Sequence, residues 1–382
     1  MVKRRKIGLI YQYNENWIGG TYYIENLIAA LNRLDDKKKP SLIVFAGSED
    51  HFNKLSERIS YPYLIRGNFQ RQLRFLEKIA NKITGVALGF HYFDSFHKDI
   101  DIIFPGAYET RFKKDQKFLY WIPDFQEHFL PAFFSAEEIK SRKDYQEKMI
   151  AGKKNILFSS ESVKRHFNFI YPGNQMVQFV VPFAVTHSNL SDTKEILKKY
   201  HLPTNFFICS NQFWKHKNHE VILKAIHLLK KNGSNIFVVF TGKEYDHRAP
   251  TYFEDLKELA KELEVESNIS FLGFIEREDQ LTLMKQATAI IQPSLFEGWS
   301  TVIEDAKFLG KCIVASDIEV HKEQLDIYDC KFYFSANEEK QLAECILNLE
   351  KENTFPERTS FNYEREIIKF ANSFIKAIDS SV

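Results

Sequence analysis

The chain has 382 residues, 44% hydrophobic and 27% charged, with 52 Lys and Arg against 51 Asp and Glu. This composition excludes a disordered or fibrous chain. A formal net charge of +1 leaves no global field that would favour nucleic acid or a membrane.

In chain order, Lys6 to Gln12 (KIGLIYQ) reads as a buried strand. A loop with Gly19 and Gly20 follows, then a helix from Thr21 to Arg33 with Tyr23, Ile24, Leu27, Ile28 and Leu31 on one face. Further apolar runs lie at Ser41 to Ala46, Ile100 to Phe104, Lys117 to Ile122, Asn155 to Ser159 and Gln178 to Val181. The segment from Pro182 to Tyr200 carries Pro, Ser, Asn and Asp before a basic helix, and the domain boundary is placed there. Beyond it, strands are expected at Asn205 to Ser210, Asn235 to Thr241, Asn268 to Leu272, Thr288 to Gln292 and Lys311 to Ala315. Helices fill the gaps at Asn218 to Lys231, Tyr252 to Leu263, Arg277 to Gln286 and Thr301 to Leu309, and a last helix spans Tyr363 to Ile378. Short apolar runs alternating with helices predict an α/β fold of parallel sheets covered on both faces. Two Rossmann-like halves are expected to face a cleft, with ligands beyond the carboxyl ends of the strands.

Cys209, Cys312, Cys330 and Cys345 show no metal-ligand spacing and read as reduced residues of a cytosolic protein. The apolar run after MVKRRK is too short for a signal-peptide core, and no run approaches 18 apolar residues. Asp99-Ile100-Asp101 precedes its strand rather than ending it and reads as surface charge, so no metal site is expected. Neither a GxGxxG fingerprint after the first strand nor a GxSxG elbow is present.

The most informative stretch is Ile291 to Gln324. After a strand, the loop SLFEGWS presents Glu297, Gly298, Trp299 and Ser300, and a helix begins near Thr301. Glu304 and Asp305 read equally as charges that favour a helix start. With Glu297 they also read as carboxylates able to accept paired sugar hydroxyls, beside helix N–H groups open to phosphate.

Glu297, Asp305, Ala306 and Gly310 stand in the spacing of an acid, seven residues, a second acid and Ala, then Gly. This resembles the donor-site signature of family-4 glycosyltransferases of the GT-B fold, with Asp in place of the usual second Glu. The resemblance continues in Cys209 to Leu223, where Lys217 matches the family's phosphate-gripping Lys and Asn211 stands in its Arg place. Thr241-Gly242-Lys243 resembles a cleft turn, and Asn268 to Ile275, ending in Phe274 and Ile275, resembles the base-binding strand and turn. Gly19 and Gly20 fit the family's glycine loop. In Tyr120 to Phe134, Pro123 takes the place of a sugar-contacting His, Asp124 keeps the acid, and His128 is the nearest histidine.

The resemblance implies a GT-B architecture: an acceptor-side domain over 1–185, a nucleotide-sugar-binding domain over 186–362, and a helix over 363–382 packing back on the first. It implies metal- and cofactor-independent transfer of a sugar, with retention, from a nucleotide-sugar donor to a sugar or lipid-linked saccharide acceptor in cell-surface polysaccharide synthesis. Glu297 would position the sugar, Asp305 or Glu304 would meet the ribose, and Asp124 and His128 would complete the catalytic side. No nucleic-acid partner is expected. A cytoplasmic location follows, with weak peripheral contact to the inner membrane face through Lys3, Arg4, Arg5, Lys6, Arg111, Lys113, Lys114 and Lys117. Two other readings are a nucleotide-sugar 2-epimerase, which needs no acceptor, and a non-catalytic nucleotide or carbohydrate binder, prompted by Asn211 and Pro123.

Overall fold

The structure is a computed structural model that describes residues 3–15, 18–67, 99–107, 109, 112, 115–152, 154–187, 193–351 and 361–382. Arg111, Lys113 and Lys114 of the expected basic rim lie outside the described residues.

The first lobe contains β1 (Lys6–Tyr11), β2 (Ser41–Ala46), β3 (Leu64–Gly67), β4 (Ile102–Phe104), β5 (Leu119–Ile122), β6 (Asn155–Phe158) and β7 (Gln178–Val180). They form a four-stranded sheet in the order β3-β2-β1-β4 and a three-stranded sheet β5-β6-β7. A parallel bridge from Ile103 to Phe118 joins the two. The second lobe is one six-stranded sheet, β10-β9-β8-β11-β12-β13. Its strands are β8 (Phe207–Ser210), β9 (Val238–Thr241), β10 (Ile269–Phe271), β11 (Ile290–Gln292), β12 (Ile313–Ser316) and β13 (Lys331–Phe334). Every pairing is parallel. In each lobe the order reverses beside the first strand, at β1/β4 and β8/β11, and that switch point opens a crevice at the carboxyl ends.

The strands are apolar because both faces are covered. Ile7 and Leu9 of β1 enter one core cluster, while Ile10 enters another on the opposite face. The second lobe repeats this: Phe207 and Cys209 of β8 face one cluster and Ile208 the other.

Helix α1 (Ile18–Asn32) lines the first lobe. The final helix, α2 (Tyr363–Ser381), lies in that same core, with Tyr363, Ile367, Phe370, Phe374 and Ile378 buried along one stripe. The Phe374 ring meets Phe104 of β4 edge-on at 5.0 Å. Phe374→Ala is expected to destabilise the first lobe by about 3–5 kcal/mol, as for other large-to-alanine core changes. Urea unfolding followed by circular dichroism checks it, and a change under 1 kcal/mol would show that the helix is not part of this core.

Two sequence expectations are corrected, and one strand is added to them. Gly19 and Gly20 lie inside the first turn of α1, which starts at Ile18, rather than in a preceding loop. Strand β13, only four residues long (KFYF), carries no sequence expectation and is new. Cys312 and Cys330, expected to be reduced, form a disulfide with a Cα–Cα distance of 4.7 Å. The pairing of Ile313 with Lys331 sets the preceding residues side by side, and that register was invisible without β13. Cys209 and Cys345 are free.

Among the described residues no helix is long and apolar enough to cross a membrane. The N-terminal cations face acids: Arg4 pairs with Asp36 at 2.6 Å, Arg5 with Asp379 at 3.0 Å and Lys6 with Asp99 at 3.5 Å. Lys117 donates to the backbone of Val382.

Candidate active site

A cavity of about 1700 Å³ lies between the lobes at the strand carboxyl ends. Ligand pockets are typically roughly 300–1,000 Å³, so there is room for two substrates. The cavity is lined by Gly19, Gly20, Pro123 and Asp124 from the first lobe, and by Asn211, Lys217, Gly242, Phe274, Ile275, Glu297 to Thr301 and Asp305 from the second.

Glu297 sits in the loop between β11 and α3 (Thr301–Phe308). Its Oε1 accepts from Lys217 Nζ at 2.5 Å, Ser294 Oγ at 2.7 Å and Gln292 Nε2 at 3.0 Å. Gln292 is placed in turn by Asn211, whose Nδ2 donates to Gln292 Oε1 at 2.9 Å. The residue in the family's Arg place is thus a buried support for the glutamate. Lys217 reaches the cleft from a 3₁₀ turn, Lys215–Lys217, after β8.

Asp305 and Glu304 part company. Asp305 is fully buried beneath the cavity, and its Oδ1 accepts from Arg277 Nη2 at 2.6 Å and His187 Nε2 at 2.8 Å. Burial opposes its charge, but the guanidinium and the imidazole hydrogen bond outweigh that and hold its carboxyl below the usual range. Glu304 does not line the cavity. It accepts from Tyr363 Oη at 2.7 Å, Lys307 Nζ at 2.9 Å and Gln324 Nε2 at 3.0 Å. Adjacent helix positions point about 100° apart, so only one of two neighbouring acids meets the cleft. The expectation that Glu304 shares the donor site is corrected: it ties α3 to α2.

The start of α3 faces the cavity through Ser300 and Thr301, and Ser300 Oγ caps it by accepting from Ile303 N at 3.3 Å. Trp299 Nε1 donates to Phe183 O at 3.0 Å and fastens this loop to the segment that crosses between the lobes. Phe274 is 51% exposed on the cleft wall, after a turn at Gly273. Gly242 has φ 149°, and a Cβ there would lie 2.0 Å from Asn211 O, so only glycine fits.

On the first lobe, a Cβ at Gly19 would meet nothing within 4 Å, which leaves open space beside α1. Asp124 Oδ1 accepts from Gln126 N at 3.1 Å. Burial raises its carboxyl pKa, and Glu127 and Glu297 add to the shift. His128 is a correction: it is exposed, does not line the cavity, and packs edge-on against Phe129 and Phe169. It lies on the exposed side of a one-turn helix, Gln126–Phe129, whose buried residues are Gln126 and Glu127.

Several cleft residues escaped the sequence reading. Arg248 lies between the rings of Phe134 and Trp214, at 4.8 and 4.9 Å, and donates to Gln126 Oε1 at 2.8 Å across the cleft. Arg277 lies over the Tyr22 ring of α1 at 4.9 Å. Isolated cations on helices and loops carry no spacing signal. Ser294 did carry one: it opens the loop SLFEGWS, three residues before Glu297. Among the described residues no group of three or more His, Cys, Asp or Glu side chains is arranged to hold a metal ion.

Two doubly wound parallel lobes with a shared cleft at their switch points define the GT-B class of proteins. Solved structures share this fold along the whole chain: Anabaena HepE in complex with UDP and glucose (16% identity, TM-score 0.65, covering 99% of this chain and 96% of that one) and a glycosyltransferase from Rickettsia africae (16%, 0.63, 99% and 94%). WaaG, a glycosyltransferase involved in lipopolysaccharide biosynthesis, is similar at 12% identity and TM-score 0.61, covering 99% of each chain. Residues 192–366 match the family model for glycosyl transferases group 1. The O-antigen chain mannosyltransferase RfbU of Salmonella typhimurium is 24% identical over 200 residues. That match spans 52% of this chain and about half, 51%, of the curated relative.

Proposed function

We propose that this chain transfers a sugar from a nucleotide-sugar donor to an acceptor hydroxyl, with retention of configuration, in the synthesis of a cell-surface polysaccharide. The observation that carries this reading is the convergence of Glu297, Lys217, Asp305 and the start of α3 on one cavity large enough for donor and acceptor. Glu297 positions the sugar. Lys217 and the first N–H groups of α3 neutralise the departing diphosphate without a metal or cofactor, an electrostatic task for preorganised donors. Asp305 takes the ribose, Phe274 and Ile275 border the base, and Asp124 is the acid on the acceptor side. The chain would divide into 1–185, 186–362 and a returning helix over 363–382. The acceptor is a sugar or a lipid-linked saccharide, met at the cytoplasmic side. Contact with an anionic membrane face would compete with the acids that Arg4, Arg5 and Lys6 already face.

Thermal melting with UDP, GDP, ADP and CMP tests the reading. One nucleotide is expected to stabilise the protein, by about 2.7 kcal/mol at a hundred times its Kd. The matching nucleotide sugars, offered with saccharide acceptors, should then give a product that keeps the donor's anomeric configuration. If no nucleotide shifts the melting temperature, the donor-site reading is wrong. An epimerised donor formed without acceptor would favour an epimerase instead.

A further inference from the structure

Asp305 is where the two lobes and the segment between them meet. Arg277 reaches it from the second lobe, and His187 reaches it from the crossing segment. Arg277 is itself held by Gln280 Oε1 at 2.9 Å and by the Tyr22 ring of the first lobe. His187 stands edge-on to Phe308 at 4.9 Å, and its neighbour Thr186 donates from its backbone to Asn26 Oδ1 at 2.6 Å.

Both donors converge on one oxygen. Oδ2 of Asp305 is buried and has no hydrogen-bond partner. A buried carboxylate oxygen without a donor is unfavourable, and a ligand hydroxyl would relieve it. An Asp is also one methylene shorter than the Glu usual at this place, so its orientation matters more. A carboxylate turns easily about its last torsion. Two N–H groups fixed on Oδ1 remove that freedom and set the remaining oxygen.

We infer that His187 and Arg277 are positioning residues for the donor ribose: by occupying Oδ1 together they turn Oδ2 of Asp305 to receive a ribose hydroxyl. The inference rests on the proposed reading of Asp305 as the ribose-binding acid. The two residues act through Asp305 and need no contact with the nucleotide.

The test compares a ribonucleotide with its 2′,3′-dideoxy counterpart by calorimetry, using whichever of UDP, GDP, ADP or CMP stabilises the protein. The wild type is expected to prefer the ribose form by about tenfold or more, the scale of a charge-assisted hydrogen bond. His187→Leu and Arg277→Met should each bring the ribose form down towards the dideoxy affinity, while dideoxy binding stays at the wild-type level. His187→Gln keeps an N–H donor and should retain most of the preference. Melting curves accompany each variant; if Arg277→Met does not fold, the two His187 variants carry the test. Equal loss of both nucleotides would mean a merely structural role and overturns the inference. A preference abolished by Asp305→Asn but untouched by His187→Leu and Arg277→Met also overturns it, with the ribose reading intact. No preference in the wild type overturns the ribose reading itself, and the inference with it.

Discussion

Glu297→Gln is expected to lower turnover by about a hundred- to a thousandfold, the loss seen when one preorganised polar group is taken from a reacting centre. The substitution keeps the shape and an acceptor oxygen, so the hydrogen bonds from Ser294 and Gln292 persist. What disappears is the negative charge opposite Lys217, now 2.5 Å from Oε1. Lys217 would then have only the donor diphosphate to face. Donor affinity should therefore hold or rise while kcat falls, a pattern that separates a loss of transition-state stabilisation from a loss of binding. Steady-state kinetics with the matched donor and acceptor check it. Wild-type kcat in the variant would remove Glu297 from the reaction. A fall confined to KM would make it a binding residue only.

Gly298→Val should cost about a hundredfold in transfer, for a different reason. A Cβ at position 298 would lie 1.9 Å from Pro123 O and 2.8 Å from Pro123 C, across the cleft. Backbone on the opposite lobe cannot yield as a flexible side chain can, so the lobes must separate. A displacement of about 1 Å between donor and acceptor sides is enough for a loss of that size. Nucleotide binding should survive, because Lys217, Asp305 and Phe274 all belong to the second lobe. The expected result is a normal nucleotide-induced melting shift with transfer lost, together with a larger radius of gyration by small-angle scattering. Full transfer activity in Gly298→Val would show that this approach of the lobes is not required.

The alternation of apolar runs with amphipathic helices was enough to read both lobes, because a strand buried on two faces has no polar positions to blur the pattern. Isolated elements without such context were harder. Strand β13, only four residues long, was not read, and the partner of Cys312 was lost with it. Local spacing also put Glu297 and Asp305 on one cavity, since both lie in one strand-loop-helix unit.

Spacing could not tell Glu304 from Asp305. Two adjacent acids look alike in a sequence, and the choice was made by Tyr363, 59 residues on, which takes Glu304 into the packing of the last helix. In the same way His128 matched a catalytic residue type, but the turn that carries it aims it outward. Arg277 and His187 gave no signal, being single residues brought to Asp305 from 28 and 118 positions away. The sequence by itself determined the parallel two-lobed architecture and the unit that holds Glu297 and Asp305, because burial and helix starts are governed by near neighbours. Which acid faces the cleft, what each is paired with and how closely the lobes approach were decided only by tertiary structure, because those contacts join residues that no local pattern relates.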